Sequence, residues 1–141
     1  MVFGYTRHMS CTIFVHIIWG TYVRQPMIRV DELRFLERLL PSEARRNDCE
    51  IIAHGIVTDH VHLVLRLPGR FDVPRLVQQL KGVSSRVASM DNTLSTTGLR
   101  WAKGYRAKPI CSTDLKAVIQ YVRSQAKRHP DRVIPKISDH S

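Results

Sequence analysis

Asp59-His60-Val61-His62-Leu63-Val64-Leu65 reads as a buried β-strand with two histidines built into one of its faces. Successive side chains of a strand point to opposite faces. His60 and His62 therefore project side by side, while Val61, Leu63, Leu65 and Leu67 fill the other face with hydrocarbon. Two adjacent imidazoles on a rigid strand can hold a divalent metal or a phosphate. They can equally be satisfied structural histidines, because histidine is intermediate in its burial preference.

The pattern on either side of this strand sets the fold. Thr12 to Trp19 is rich in β-branched and aromatic residues and reads as a first strand, followed by a turn through Gly20 and Gln25-Pro26. Asp31 opens a helix with Leu33, Leu36, Leu39 and Leu40 at helical spacing. Pro41, lacking an N–H, is expected to kink or end it, with another turn or two from Ser42 to Asp48. Glu50 to Val57 is a second strand, and Thr58-Asp59 connects it tightly to the histidine strand, which Pro68-Gly69 ends. Asp72 caps a second helix with Pro74 in its first turn and Leu76, Val77, Leu80, Val83 and Val87 as its apolar stripe. Asp91 to Gly98 is a polar, turn-prone loop, and Leu99 to Cys111 contains a fourth strand carrying Trp101, Tyr105 and Ile110. Ser112 caps a final helix from Thr113 to about His129, stopped by Pro130.

The order β-α-β-β-α-β plus an extra helix defines an α+β, ferredoxin-like antiparallel sheet with helices over one face and an additional C-terminal helix. A chain of 141 residues fits one domain spanning 1–141, with its core at about 11–129 and terminal extensions at 1–9 and 130–141.

Composition narrows the partner. Hydrophobic residues make up 43% of the chain, enough for a globular core, and 22 Lys and Arg against 12 acidic residues give a formal charge of +10. That excess points to a polyanion, either nucleic acid or an anionic membrane surface. The longest apolar stretches, such as Cys11 to Gly20, fall far short of the ~20 residues that span a bilayer. No charged-then-apolar leader opens the sequence, so a cytoplasmic location and a nucleic-acid partner are expected. Cys11, Cys49 and Cys111 are odd in number and widely spaced, and read as reduced structural thiols rather than disulfides or zinc ligands.

The last helix supplies a second half to the histidine pair. Leu115, Val118, Ile119 and Val122 form its apolar stripe. At ~100° per residue, Tyr121 falls about 110° from the centre of that stripe, away from a core position. Gln125, four residues on, shares the face of Tyr121 one turn along.

With these residues assembled, the chain resembles the HUH single-tyrosine transposases of small bacterial insertion sequences (IS200-like), including their REP-associated relatives. Four motifs carry the resemblance in order: Asp59-His60-Val61-His62, Leu80-Lys81-Gly82-Val83-Ser84-Ser85-Arg86, Trp101-Ala102-Lys103-Gly104-Tyr105 and Tyr121-Val122-Arg123-Ser124-Gln125. Any one of them is weak, but four in order at compatible spacing are specific. The resemblance runs from about Thr12 to His129.

It implies that His60, His62 and Gln125 bind Mg²⁺ or Mn²⁺, which polarises the scissile phosphate of single-stranded DNA. Tyr121 would attack that phosphate to give a 5′-phosphotyrosine and a 3′-hydroxyl, conserving the bond energy for rejoining without a nucleotide cofactor. Such an enzyme nicks and joins strands at element ends marked by a subterminal hairpin. It works as a homodimer, in which the tyrosine helix can complete the partner subunit's histidine site. Arg70, Arg75, Lys81 and Arg86 around the second helix, and Arg123, Lys127 and Arg128 on the last, offer phosphate contacts; Trp101 and Tyr105 offer stacking surfaces for unpaired bases. Two features depart from the family: Tyr22-Val23-Arg24-Gln25-Pro26 preserves its basic stretch after the first strand only loosely, and Pro41 interrupts a helix that is normally continuous. The alternative is a noncatalytic ferredoxin-like module that binds DNA or RNA, or a domesticated REP-processing relative.

Overall fold

The computed structural model describes residues 12–90, 99–128 and 133–134. Its strands are β1 (Ile13–Gly20), β2 (Glu50–Ile56), β3 (His60–Leu67) and β4 (Arg106–Ile110), and its helices are α1 (Val30–Arg46), α2 (Val73–Met90), α3 (Leu115–Arg123) and the short α4 (Gln125–Arg128). The strands form one antiparallel sheet in the order β2-β3-β1-β4. This is the ferredoxin-like arrangement expected from the order of elements. Among the described residues no helix is long and apolar enough to cross a membrane.

The main core lies between the sheet and the α1–α2 pair. Val15, Ile17 and Trp19 of β1 and Val61, Leu63, Leu65 and Leu67 of β3 meet Leu36, Leu40, Leu76, Val77 and Leu80 there, all almost fully buried. Each such side chain contributes on the order of 1.5–3 kcal/mol when removed from water. The histidine strand is buried on both faces, however. α3 lies across the opposite face and closes a second, smaller apolar cluster of Ala53, Val64 and Val122, with Ile110, Leu115, Val118 and Ile119 around it. The sheet is therefore sandwiched, not covered on one face.

Pro41 does not end the first helix: α1 runs unbroken from Val30 to Arg46 with Pro41 inside it. An interior proline costs about 3 kcal/mol, but Leu36 and Leu40 before it and Ala44 after it are all anchored in the core. Their combined burial holds one helical path. The helix also starts a residue earlier than expected, and the Glu32 carboxylate accepts the Arg29 N–H at 3.0 Å to finish its end. Asp72 caps α2 as expected, its Oδ1 accepting the Arg75 N–H at 3.1 Å.

Two boundaries near the C-terminus differ from the sequence reading. The fourth strand is limited to Arg106–Ile110, which leaves Tyr105 just outside it and Trp101 in an isolated bridge to Thr21. The final helix opens with a 3-10 turn at Ser112–Asp114 and breaks at Ser124, which separates α3 from α4. Cys49 is buried and donates to the Asn47 carbonyl; burial, followed by the Asp48 charge, pushes its thiol up to about 11. Cys111 is exposed, and Cys11 lies outside the described residues.

Candidate active site

His60 and His62 stand on the α3 side of β3 with ring centroids 4.9 Å apart, and both are at least 95% buried, at 5% and 4% exposure. Strand register adds a third imidazole. Ile18 pairs with His62 and His16 with Val64, so His16 is the diagonal neighbour of His62 on the same face. The two rings lie edge to edge and nearly coplanar, with centroids 5.2 Å apart and 25° between their planes, and His16 Nε2 and His62 Nδ1 share a hydrogen bond of 3.0 Å. Burial, followed by the charges of Lys108 and Arg106, holds His16 below its ordinary pKa of 6.5, so it is neutral at pH 7.

His60 is held from the turn before its strand. Its Nδ1 lies 2.8 Å from Asp59 Oδ1, and Arg24 Nη2 lies 3.3 Å from the same nitrogen. The carboxylate can only accept and the guanidinium can only donate, and Arg24 has the other Asp59 oxygen as its partner at 3.6 Å. The shorter contact decides the tautomer: Nδ1–H donates to Asp59, and the ring's lone pair resides on Nε2.

Arg24 reaches this position through a strained turn. Val23 and Arg24 both have left-handed backbones (φ 52° and 55°), an expensive conformation for a β-branched valine. Thr21 fixes the turn from three sides: its N–H bonds the Asp59 carbonyl at 2.9 Å, its hydroxyl bonds the Gln25 carbonyl at 2.6 Å, and its own carbonyl accepts the Arg24 N–H at 3.0 Å. Arg100 lies 3.8 Å over the Tyr22 ring and adds a cation–π contact. The loosely preserved Tyr22-Val23-Arg24 stretch is thus part of the site, a role its sequence alone did not reveal.

Tyr121 approaches from α3. Its ring meets those of His62 and His16 edge-on, at 5.9 and 6.1 Å, and remains 37% exposed. The helix comes this close because Gly55 lies under it. A Cβ at Gly55 would sit 2.0 Å from the Val122 carbonyl oxygen and 3.0 Å from Gln125 Cγ. Gly55 is also the cross-strand partner of His62, which places Gln125 beside that histidine's position on the sheet face.

Gln125 does not share the exposed face of Tyr121, because the break at Ser124 turns it inward. It is 1% exposed, its Nε2 donates to the Tyr121 carbonyl at 3.1 Å, and its Oε1 is buried without a hydrogen-bond partner. Nor does it line the cleft that Tyr121 shares with the histidines.

That cleft, of about 490 Å³, is bounded by His60, His62 and Tyr121 together with Arg24, Lys103, Tyr105 and Arg106. A second cleft of about 760 Å³ lies beyond Tyr121, lined by His16, Arg106, Lys108 and Asp114. Arg106 and Lys108 pair with Ile18 and His16 and so face the site, two cations the sequence reading passed over. Alternation along β4 would have found them, had its register been known.

The other expected contacts are arranged differently. Lys81 is occupied: its ammonium donates to the Ala102 and Gly104 carbonyls at 2.8 Å each, and burial lowers its pKa. It shapes the loop at the cleft rim. Trp101 donates its indole N–H to Ser84 and packs edge-on against Trp19, so it is a structural ring. Arg75 and Arg86 are exposed on α2, across the sheet from the histidines, and exposed Arg70 precedes that helix. Arg123 borders a separate hollow with Gly55 and Gln125, and Lys127 is exposed on α4. Tyr105 lines the cleft, while the Arg128 side chain and Tyr5 lie outside the described residues.

Comparison with known families gives the class, a DNA-processing transposase. The chain belongs to the IS200-like transposase family, whose model matches residues 10–125. Its structure is similar to the crystal structure of a candidate transposase from Deinococcus radiodurans R1, with a TM-score of 0.65 and 23% identity over 86% of this chain and 94% of that one. It is also similar to a REP-associated tyrosine transposase bound to a REP hairpin, with a TM-score of 0.67 and 15% identity over 83% of this chain and 68% of that one. No curated protein sequence matches it.

Among the described residues, no group of three or more His, Cys, Asp or Glu side chains is arranged to hold a metal. The donors that the resemblance implies are two imidazoles and an amide; Gln125 Oε1 is buried without a hydrogen-bond partner, on a residue that borders the hollow beside Gly55 and Ile56 and not the histidine cleft. Nitrogen and carbonyl donors without a carboxylate suit Mn²⁺ better than Mg²⁺, and substrate phosphate and water would complete the oxygen ligands.

Proposed function

We propose that this transposase cuts and rejoins single-stranded DNA through a covalent bond to Tyr121, in one domain spanning the chain. The observation that carries this reading is the Tyr121 ring lying against His62 in a cleft lined by Arg24, Lys103 and Arg106. His60 and His62, with Gln125 as the third protein ligand, are the residues that would hold Mg²⁺ or Mn²⁺. A bound ion supplies positive charge to the scissile phosphate oxygens as charge builds there.

The chain's own groups do the rest. Arg24, Arg106 and Lys108 attract and orient the phosphate backbone, and Tyr105 offers a ring to an unpaired base. The Tyr121 hydroxyl attacks phosphorus, its proton passes to solvent or to a neighbouring imidazole, and the bond to the 3′-oxygen breaks. A 5′-phosphotyrosine and a free 3′-hydroxyl result. Attack by a 3′-hydroxyl reverses the step and joins strands, so no nucleotide cofactor is consumed. A subterminal DNA hairpin as recognition element and a homodimer, with α3 serving its own or the partner subunit's histidines, complete the proposal.

The test uses single-stranded oligonucleotides from the flanks of the encoding gene, incubated with the protein and Mn²⁺. The expected product is a protein–DNA adduct whose phosphate maps to Tyr121, and which disappears in His60→Ala. Binding of authentic end sequences with no adduct under any metal would replace this reading with that of a noncatalytic DNA-binding module.

Asp59 gives a separate prediction. Asp59→Asn keeps an oxygen near His60 but removes the charge that fixes its tautomer. Mn²⁺ affinity, read by titration of the free-ion resonance signal, is expected to fall by about 10–100-fold. Wild-type affinity in this variant would mean that the carboxylate serves only the turn.

A further inference from the structure

Among the described residues, His16 is the one member of the imidazole cluster that lies outside the His60-Val61-His62 motif. It reaches the cluster from β1, through a register that joins residues 46 apart in sequence. We propose, on the metal-binding reading given above, that His16 is a positioning residue for His62. It accepts the His62 Nδ1–H and thereby presents the Nε2 lone pair of that ring to the ion shared with His60.

The two histidines of the motif then obey one rule. A neutral imidazole carries one N–H and one lone pair, and the partner at one nitrogen fixes the role of the other. Asp59 engages Nδ1 of His60 at 2.8 Å and His16 engages Nδ1 of His62 at 3.0 Å. Both rings consequently turn Nε2 to the same task. The supports differ in kind: one is a carboxylate on the adjacent residue, the other a nearly coplanar ring, at 25°, on a neighbouring strand.

The geometry also separates this role from that of a third ligand. His16 Nε2 meets its partner's nitrogen at 3.0 Å, and with His62 as the donor, as proposed, the His16 lone pair is taken up by the His62 proton. An ion bound by both rings would need the two lone pairs to converge on a third point. The register further places His16 between His62 and the Lys108 side of the sheet, since His16 and Lys108 are cross-strand partners.

Two measurements on the full-length protein test the proposal. In metal-free protein, ¹⁵N-edited spectra of the imidazoles should show His62 as the Nδ1–H tautomer, and His16→Ala should shift it to the Nε2–H form usual in solution. In Mn²⁺ titrations, His16→Ala should bind about 10–100-fold more weakly. His16→Gln, whose amide oxygen can accept the same proton, should recover most of the affinity. Electron spin-echo spectra of the Mn²⁺-loaded protein should show the same number of coordinated imidazole nitrogens in wild type and His16→Gln.

An unchanged His62 tautomer in His16→Ala would overturn the proposal, as would unchanged affinity. Loss of one coordinated nitrogen in His16→Gln would also overturn it and make His16 a ligand. Should wild-type protein fail to bind Mn²⁺ while the tautomer shift is seen, the metal-binding reading falls and the His16–His62 hydrogen bond stands as a support for His62 alone.

Discussion

Tyr121→Phe is expected to abolish adduct formation with single-stranded DNA while the protein stays folded. The substitution removes one oxygen from a ring that is 37% exposed, and leaves its edge-on contacts with His62 and His16 in place. A surface change of this kind alters stability by no more than about 1 kcal/mol. Loss of a covalent nucleophile, by contrast, costs on the order of 10⁶ in turnover. The combination is diagnostic: thermal unfolding close to wild type, DNA binding retained, adduct absent. Tyr105→Phe, in the same cleft but not on α3, should still form the adduct. An adduct that persists in Tyr121→Phe would transfer the nucleophile's role to another residue.

Gly55→Ala is expected to be nearly as damaging by a different route. The added methyl carbon would lie 2.0 Å from a backbone oxygen at Val122, and a helix carbonyl cannot rotate aside as a side chain can. α3 must therefore retreat by more than an ångström. Overpacking of this kind costs about 1–3 kcal/mol in stability. The larger effect is on chemistry, since a reacting group misplaced by 1 Å can lose about 10²-fold in rate. Gln125 moves with the helix, so Mn²⁺ affinity should weaken as well. The measurements are adduct yield, melting temperature and Mn²⁺ titration, and a variant indistinguishable from wild type in all three would show that α3 is not seated on Gly55.

Legibility in the sequence followed the distance over which each feature is encoded. The alternation in His60-Val61-His62-Leu63 is local, and it gave both the strand and the face of the histidines. Helical spacing likewise put Tyr121 off the apolar stripe, where the structure has it. Features set by pairing between remote segments were hidden. His16, Arg106 and Lys108 face the site only because β1 lies between β3 and β4 in one particular register, and periodicity within a segment cannot state a register. Pro41 misled because the rule for proline weighs one hydrogen bond, whereas the residues around it bring several buried side chains. Gln125 shares the face of Tyr121 only in an unbroken helix; at the break at Ser124, local donors from Ser124 and Gln125 converge on the Tyr121 carbonyl, a competition that helical spacing does not weigh. Trp101 read as a strand residue because it is aromatic, and was drawn out of β4 by Ser84 and Trp19.

The two hydrophobic clusters on opposite faces of the sheet carry a further consequence for dynamics. β3 lies inside the sheet with a packed layer on each side, so its amide hydrogens should be among the slowest to exchange, opening only with global unfolding. The histidines ride on that strand. Tyr121 rides on a helix secured by the smaller cluster, whose loss would leave the α1–α2 core intact. Amides of α3 should thus exchange through a cheaper, sub-global opening. The site joins a part that stays put for as long as the protein is folded to a part that can detach by itself, a division of labour that, under the proposed function, would let the tyrosine carry one DNA end away from its origin and present it elsewhere.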